Sequence, residues 1–105
     1  MSRRRYRVEY LRLAERDIVD IVDYIARDRP QAARAFVDRL DRAAARLALF
    51  PRSGRRPNDK RLQRSGYRLL VVDDYLLFHV VAGSAVQIRR VIHGARRYEF
   101  LLPKE

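Results

Sequence analysis

Cysteine and tryptophan are missing from these 105 residues, methionine occurs once, and glycine and proline number only four each. Without thiols the chain forms no disulfide and has neither a thiolate metal ligand nor a cysteine nucleophile, as suits a reducing compartment. It contains no low-complexity tract and no internal repeat. No uncharged apolar run approaches the ~18 residues that a membrane-spanning helix needs. No continuous apolar stretch follows Ser2-Arg3-Arg4-Arg5, so a secretory signal is not expected and a cytoplasmic location is. Neither a glycine-rich phosphate loop nor Gly-x-Ser-x-Gly appears. The two histidines and the aspartates show no metal-ligand spacing, so no cofactor and no metal is expected.

Acidic residues are also scarce, 13 against 24 basic ones, for a net charge of +11. All the basic residues except Lys60 and Lys104 are arginine, which favours planar, bidentate partners such as phosphate and carboxylate. The excess leans toward the second half: residues 1–50 hold 12 basic and 8 acidic residues, residues 51–105 hold 12 and 5. Nucleic acid, a nucleic-acid-bound machine or an acidic protein would each suit such a surface. The plainer reading of any one of these arginines is a solvated face. An apolar content of 48% predicts a folded chain, and the length predicts one domain with a single core over 1–105.

The most patterned stretch runs from Gly66 to Tyr98. Three apolar runs rich in β-branched and aromatic residues are interrupted by Asp73-Asp74 and by Ala82-Gly83-Ser84, interruptions of the length and chemistry of tight hairpins. This predicts a three-stranded meander with strands at about 66–73, 74–82 and 84–92, followed by a C-terminal segment, 93–105. Upstream, Tyr6, Val8 and Tyr10 alternate with Arg5, Arg7 and Glu9, a half-exposed strand at about 5–11 that joins the meander. Helical spacing of Leu11, Ala14, Ile18, Ile21, Val22 and Ile25 predicts a helix over 12–28. After the break at Asp28-Arg29-Pro30, a second stripe (Ala33, Phe36, Val37, Leu40, Ala43, Ala44, Leu47, Phe50) predicts another over 30–50. Residues 51–65, PRSGRRPNDKRLQRS, read as a long basic loop. The fold class is therefore α+β: an N-terminal strand, then an antiparallel helix hairpin packed on a mainly antiparallel sheet.

With that order read, several short motifs fall into line: Ile21-Val22-Asp23-Tyr24-Ile25-Ala26, Pro30-x-Ala-Ala, Leu49-Phe50-Pro51-x-x-Gly54-Arg55, Gly66-Tyr67-Arg68, Tyr75-Leu76-Leu77-Phe78 and Ile88-x-Arg90-Val91-x-His93-Gly94-x-Arg96. Through them nearly the whole chain resembles the RelE/ParE superfamily of type II toxin-antitoxin toxins, closer to ParE. The resemblance implies a growth-inhibiting toxin of a plasmid-stabilisation type module, encoded beside an antitoxin that wraps and silences it. RelE-like members cut messenger RNA on the ribosome, and ParE-like members poison DNA gyrase.

Cleavage of RNA by its own 2′-hydroxyl needs a base, cations on the phosphate and an acid. Arg68, His93, Arg96 and Tyr98 are the candidates. RelE-like nucleases resemble one another in carrying further Lys or Arg along the second and third strands, where this chain has Leu69-Leu70-Val71-Val72 and Tyr75-Leu76-Leu77-Phe78. That favours an inhibitor that binds gyrase, with Arg61, Arg64, Arg68, Arg90, Arg96, Arg97 and Tyr98 as its target surface. The alternatives are a metal-independent, ribosome-dependent endonuclease and a non-toxic basic binding module. An acidic antitoxin is expected to lay aliphatic side chains on Ile18, Val22, Ile25, Phe36 and Leu40 and to pair carboxylates with Arg68, Arg89 or Arg96. Simpler roles compete for several residues. His93 would tie down the turn before Gly94 by bonding a backbone carbonyl, and His79 would be a packing residue. Asp73-Asp74 would be turn chemistry, and Asp17, Asp20 and Asp23 the solvated face of a helix.

Overall fold

The computed structural model describes residues 5–96 and 98. Arg97 and the tail 99–105 lie outside the described residues. The element order is β1 (Arg7–Tyr10), α1 (Arg12–Asp28), α2 (Pro30–Leu49), α3 (Lys60–Arg64), β2 (Arg68–Val72), β3 (Tyr75–Ala82) and β4 (Ala85–His93). The meander is antiparallel as expected, and the sheet runs β1-β4-β3-β2. The N-terminal strand joins it alongside β4 and parallel to it, from Arg7 opposite Ala85 to Tyr10 opposite Ile88. Parallel neighbours need a long crossover, and the helix hairpin supplies it.

The two helices meet through one residue. Arg29 is extended, φ −141°, as the residue before a proline must be; its N–H donates to the Ile25 carbonyl and its carbonyl accepts from Ala33 N–H. Pro30 then starts α2 at a position where a missing N–H costs nothing.

The expected loop over 51–65 is only partly a loop. The Asp59 carboxylate accepts from the N–H groups of Arg61 and Leu62, at 2.8 and 3.2 Å, and so starts the single turn of α3. Those bonds, the Leu62 one foremost, hold its carboxyl below the usual range. A five-residue helix is too short to show a period, which is why hydrophobic spacing missed it. Upstream, Arg55 N–H donates to the Leu69 carbonyl and Leu69 N–H to the Arg55 carbonyl, at 3.0 and 2.9 Å, sealing the first half of the β2 edge. Gly54 permits that approach: its φ is +93°, and a Cβ there would lie 2.2 Å from the Leu69 oxygen.

Both faces of the sheet are covered. On one side Ala14, Phe36, Leu40 and Leu47 of the helices pack on Val72, Leu77, Val86, Ile88 and Val91. On the other, Leu62 of α3 joins Tyr67, Leu69, Leu76, Phe78, Val80 and Ile92, with Tyr98 against them. Strands covered twice read as continuous apolar runs, and this corrects the expectation of greasy middle strands open to solvent. Val71, 61% exposed, is the exception.

Asp73 has the positive φ, +54°, of the β2–β3 turn, a conformation that aspartate tolerates. Its carboxylate meets Arg39 at 3.1 Å, with both side chains well exposed. Such a pair contributes little, so Arg39→Ala is expected to move the urea-unfolding free energy by no more than about 0.5 kcal/mol.

Candidate functional site

The four candidate nuclease residues are not brought together. Arg68 opens β2 opposite His79, whereas His93 ends β4 opposite Tyr75. Their partners stand four residues apart on β3, roughly 13 Å at about 3.4 Å per residue, and one candidate lies on each side of that strand. His93 packs edge-on against Tyr75, centroids 5.2 Å apart, at the hollow lined by Tyr24, Arg29 and Arg39 of the helices. Tyr98 instead lies 4.9 Å from Phe78 in the cluster on the opposite face. Arg96 is exposed, and its N–H donates to the His93 carbonyl. His93 does tie down its turn, but as an acceptor: Nδ1 takes the Ala95 N–H at 3.1 Å.

Arg90 is not a free target-binding cation. Its guanidinium is paired with Asp17 of α1, Nε to Oδ2 at 2.7 Å and Nη2 to Oδ1 at 2.9 Å, with the two side chains 14% and 15% exposed. Asp17 Oδ2 also accepts the Val91 N–H at 2.9 Å. Phe78 pairs with Arg90 and His79 with Ile88, so the register skips Arg89, and the carboxylate sits at this bulge. Hydrogen bonds from Asp17 raise the Arg90 pKa still further. Asp17 is therefore not part of a solvated helix face, because Ala14, Ile18 and Ile21 place it on the inward stripe.

Two residues expected to meet an antitoxin are sealed inside. Phe36 is fully buried, with its ring 5.3 Å from Tyr75, and Leu40 is 3% exposed. No docking segment reaches either while α2 stays on the sheet. Ile18, Val22 and Ile25 are half-buried. The large apolar side chains that the helices leave open are Leu13, Val19, Tyr24 and Val37. Arg89 is half-buried over the Tyr67 ring, donating to Tyr67 Oη and to Gln87. Arg61 and Arg64 project from α3, with Arg61 3.7 Å from Asp59.

His79 is completely buried, as a packing residue would be, yet it lines a hollow of about 280 Å³ together with Arg52, Arg56, Gln63 and Arg68. Arg52 and Arg56 read in sequence only as loop charge. Their convergence follows from the path of the chain over the sheet, which no local pattern encodes. Among the described residues, no three His, Asp or Glu side chains gather as a metal site, and no helix is long and apolar enough to cross a membrane.

A helix hairpin on a four-stranded mixed sheet, strongly cationic and without an assembled acid-base set, defines a toxin-like α+β binding protein. The model of the family described as ParE toxin of type II toxin-antitoxin system, parDE, matches residues 8–98, and the chain belongs to that family. Toxin RelE2 of Caulobacter vibrioides is 38% identical over 81 residues, covering 76% of this chain and 85% of that protein. A chain of the chromosomal ParDE TA system from P. aeruginosa has the same fold, with a TM-score of 0.70 at 20% identity over 86% of this chain and 97% of its own. The protein is thus a type II toxin-antitoxin toxin of the RelE/ParE superfamily.

Proposed function

We propose that this toxin stops growth by holding DNA gyrase rather than by cutting RNA, and that an acidic antitoxin silences it. The observation that carries the reading is the second face of the sheet. Where a nuclease of the superfamily would present cations, this chain has Leu69, Leu76, Phe78 and Ile92, covered by Leu62 and Tyr98. A leucine cannot neutralise a pentacovalent phosphorane, and losing one phosphate-holding donor costs about 10²-fold or more in rate. Binding needs no acid-base pair. Exposed Arg61, Arg64 and Arg96, with the half-buried Arg68, give a charged surface for a nucleic-acid-bound target. For the antitoxin, the groove of Tyr10, Ile18 and Val37 between the helices offers aliphatic contact. The net charge of +11 draws in carboxylates.

Induction of the protein alone, following DNA breaks, messenger integrity and growth together, tests this. Gyrase-dependent double-strand breaks with intact messenger are expected, unchanged in His93→Ala. Messenger cut within translated codons, and spared by His93→Ala or Arg96→Ala, would replace the reading with the RelE-like one that the relative's name suggests. Co-expression with the adjacent reading frame is expected to recover a complex and restore growth.

A further inference from the structure

After α2, the segment from Pro51 to Arg56 passes over the start of β2 and the middle of β3, roofing the hollow at His79. His79 Nε2 lies 3.2 Å from the Ser53 carbonyl. A carbonyl only accepts, so Nε2 carries the hydrogen and Nδ1 is left as a bare lone pair. The ring is 0% exposed, and Nδ1 makes no hydrogen bond to any described protein atom. A buried acceptor without a donor is a costly arrangement for a protein to retain.

Around it stand three guanidiniums. Arg52 and Arg56 come from the roof and Arg68 from β2. Among the described residues none of the three side chains is ion-paired. Asp59, the one acid between Pro51 and Gly66, is already engaged with the amides of α3 and with Arg61. Gln63 is also held, donating to the Pro57 carbonyl at 2.7 Å. A water molecule in the hollow would satisfy Nδ1 but not three converging positive charges. A bare anion would satisfy the charges but offer Nδ1 no proton.

We propose that this hollow binds a phosphate monoester with a hydroxyl beside it, the chemistry of a phosphorylated ribose. The phosphate oxygens take Arg52, Arg56 and Arg68, and the hydroxyl donates to His79 Nδ1. The volume, about 280 Å³, holds a phosphate and a sugar but not a large cofactor. Burial keeps the ring neutral at physiological pH, so the lone pair is there to be used. The assignment stands or falls on the hollow alone, whatever the toxin's target.

The test is calorimetry and ¹⁵N NMR on the purified full chain with adenosine 3′-monophosphate, 2′-deoxyadenosine 3′-monophosphate and inorganic phosphate. The ribonucleotide is expected to bind roughly tenfold more tightly than its deoxy analogue, because the latter leaves Nδ1 unsatisfied. It is also expected to shift the His79 Nδ1 resonance. The double variant Arg52→Ser/Arg56→Ser, exposed on the roof, is expected to lose at least about tenfold in affinity with an unchanged thermal midpoint. A 3′-phosphorylated RNA tetramer distinguishes sources: tighter binding than the mononucleotide assigns an RNA end, equal binding a free nucleotide. No saturation by about 10 mM, affinity indifferent to the double substitution, or equal ribo and deoxy binding with an unmoved Nδ1 would each overturn the proposal.

Discussion

Asp17→Ala is expected to lower the unfolding free energy by about 3–5 kcal/mol, the usual cost of stranding one member of a buried ion pair. The carboxylate serves Arg90 through both oxygens and the bulge amide of Val91 through one. With the two side chains 14% and 15% exposed, water does little to replace it. Domains of this size have only about 5–15 kcal/mol in hand, so much of the variant is expected to be unfolded at growth temperature. Two companion measurements separate the cause from loss of helix. Asp20→Ala, on the exposed side of α1, is expected to cost less than about 0.5 kcal/mol. In Asp17→Leu/Arg90→Met both charges are replaced by apolar groups of similar volume, and most of the stability is expected to return. Urea unfolding of the four proteins decides it, and a cost below about 1 kcal/mol for Asp17→Ala would show that the pair is not what locks α1 to β4.

That lock shows what a one-dimensional reading lacks. The helix stripes and the meander were legible because each is a local period: Phe36, Leu40 and Leu47 repeat every three or four residues, and Asp73-Asp74 and Ala82-Gly83-Ser84 carry turn chemistry wherever they occur. The parallel docking of β1 on β4 and the bulge at Arg89 depend on contacts more than seventy residues apart in sequence, for which no spacing rule exists. Asp17 lies between. Three aspartates at spacing three look like a polar face, but position 17 falls among Ala14, Ile18 and Ile21 on the apolar stripe, and a charge written into such a stripe signals a buried partner.

The candidate site divides in the same way. Cationic character and the lack of a nuclease set are compositional and could be read directly. The cover on the second face could not: it depends on Leu62, the one apolar residue of a short polar helix, and on Tyr98 returning to Phe78. That cover changes the meaning of Leu69 and Phe78. They are the floor of a second core, so the cation-poor face of the sheet is a structural necessity for this chain.

His79 makes the second large effect one of pH. Burial foremost, with the Arg68 charge adding to it, lowers its pKa from 6.5 to about 4. The unfolded chain therefore takes this proton near pH 6.5, whereas the folded chain resists it until near pH 4. Between those values the unfolded state binds more protons, so stability falls as the pH falls, and above 6.5 this group contributes no slope. The difference of 6.5 − 4 pH units corresponds to about 3 kcal/mol in total, of which about 2 kcal/mol is gone by pH 5, before most carboxylates titrate. His79→Leu removes the titrating ring and leaves the rest of the pH profile in place, so the wild-type curve minus the variant curve isolates the effect whatever the variant's own offset. Urea unfolding at pH 7, 6 and 5 is expected to show that difference shrinking by about 2 kcal/mol toward pH 5. Parallel curves would mean that the ring takes up its proton without unfolding the chain. The segment from Pro51 to Arg56 would then open readily, and the hollow beneath it would lack the rigid walls that selective binding requires.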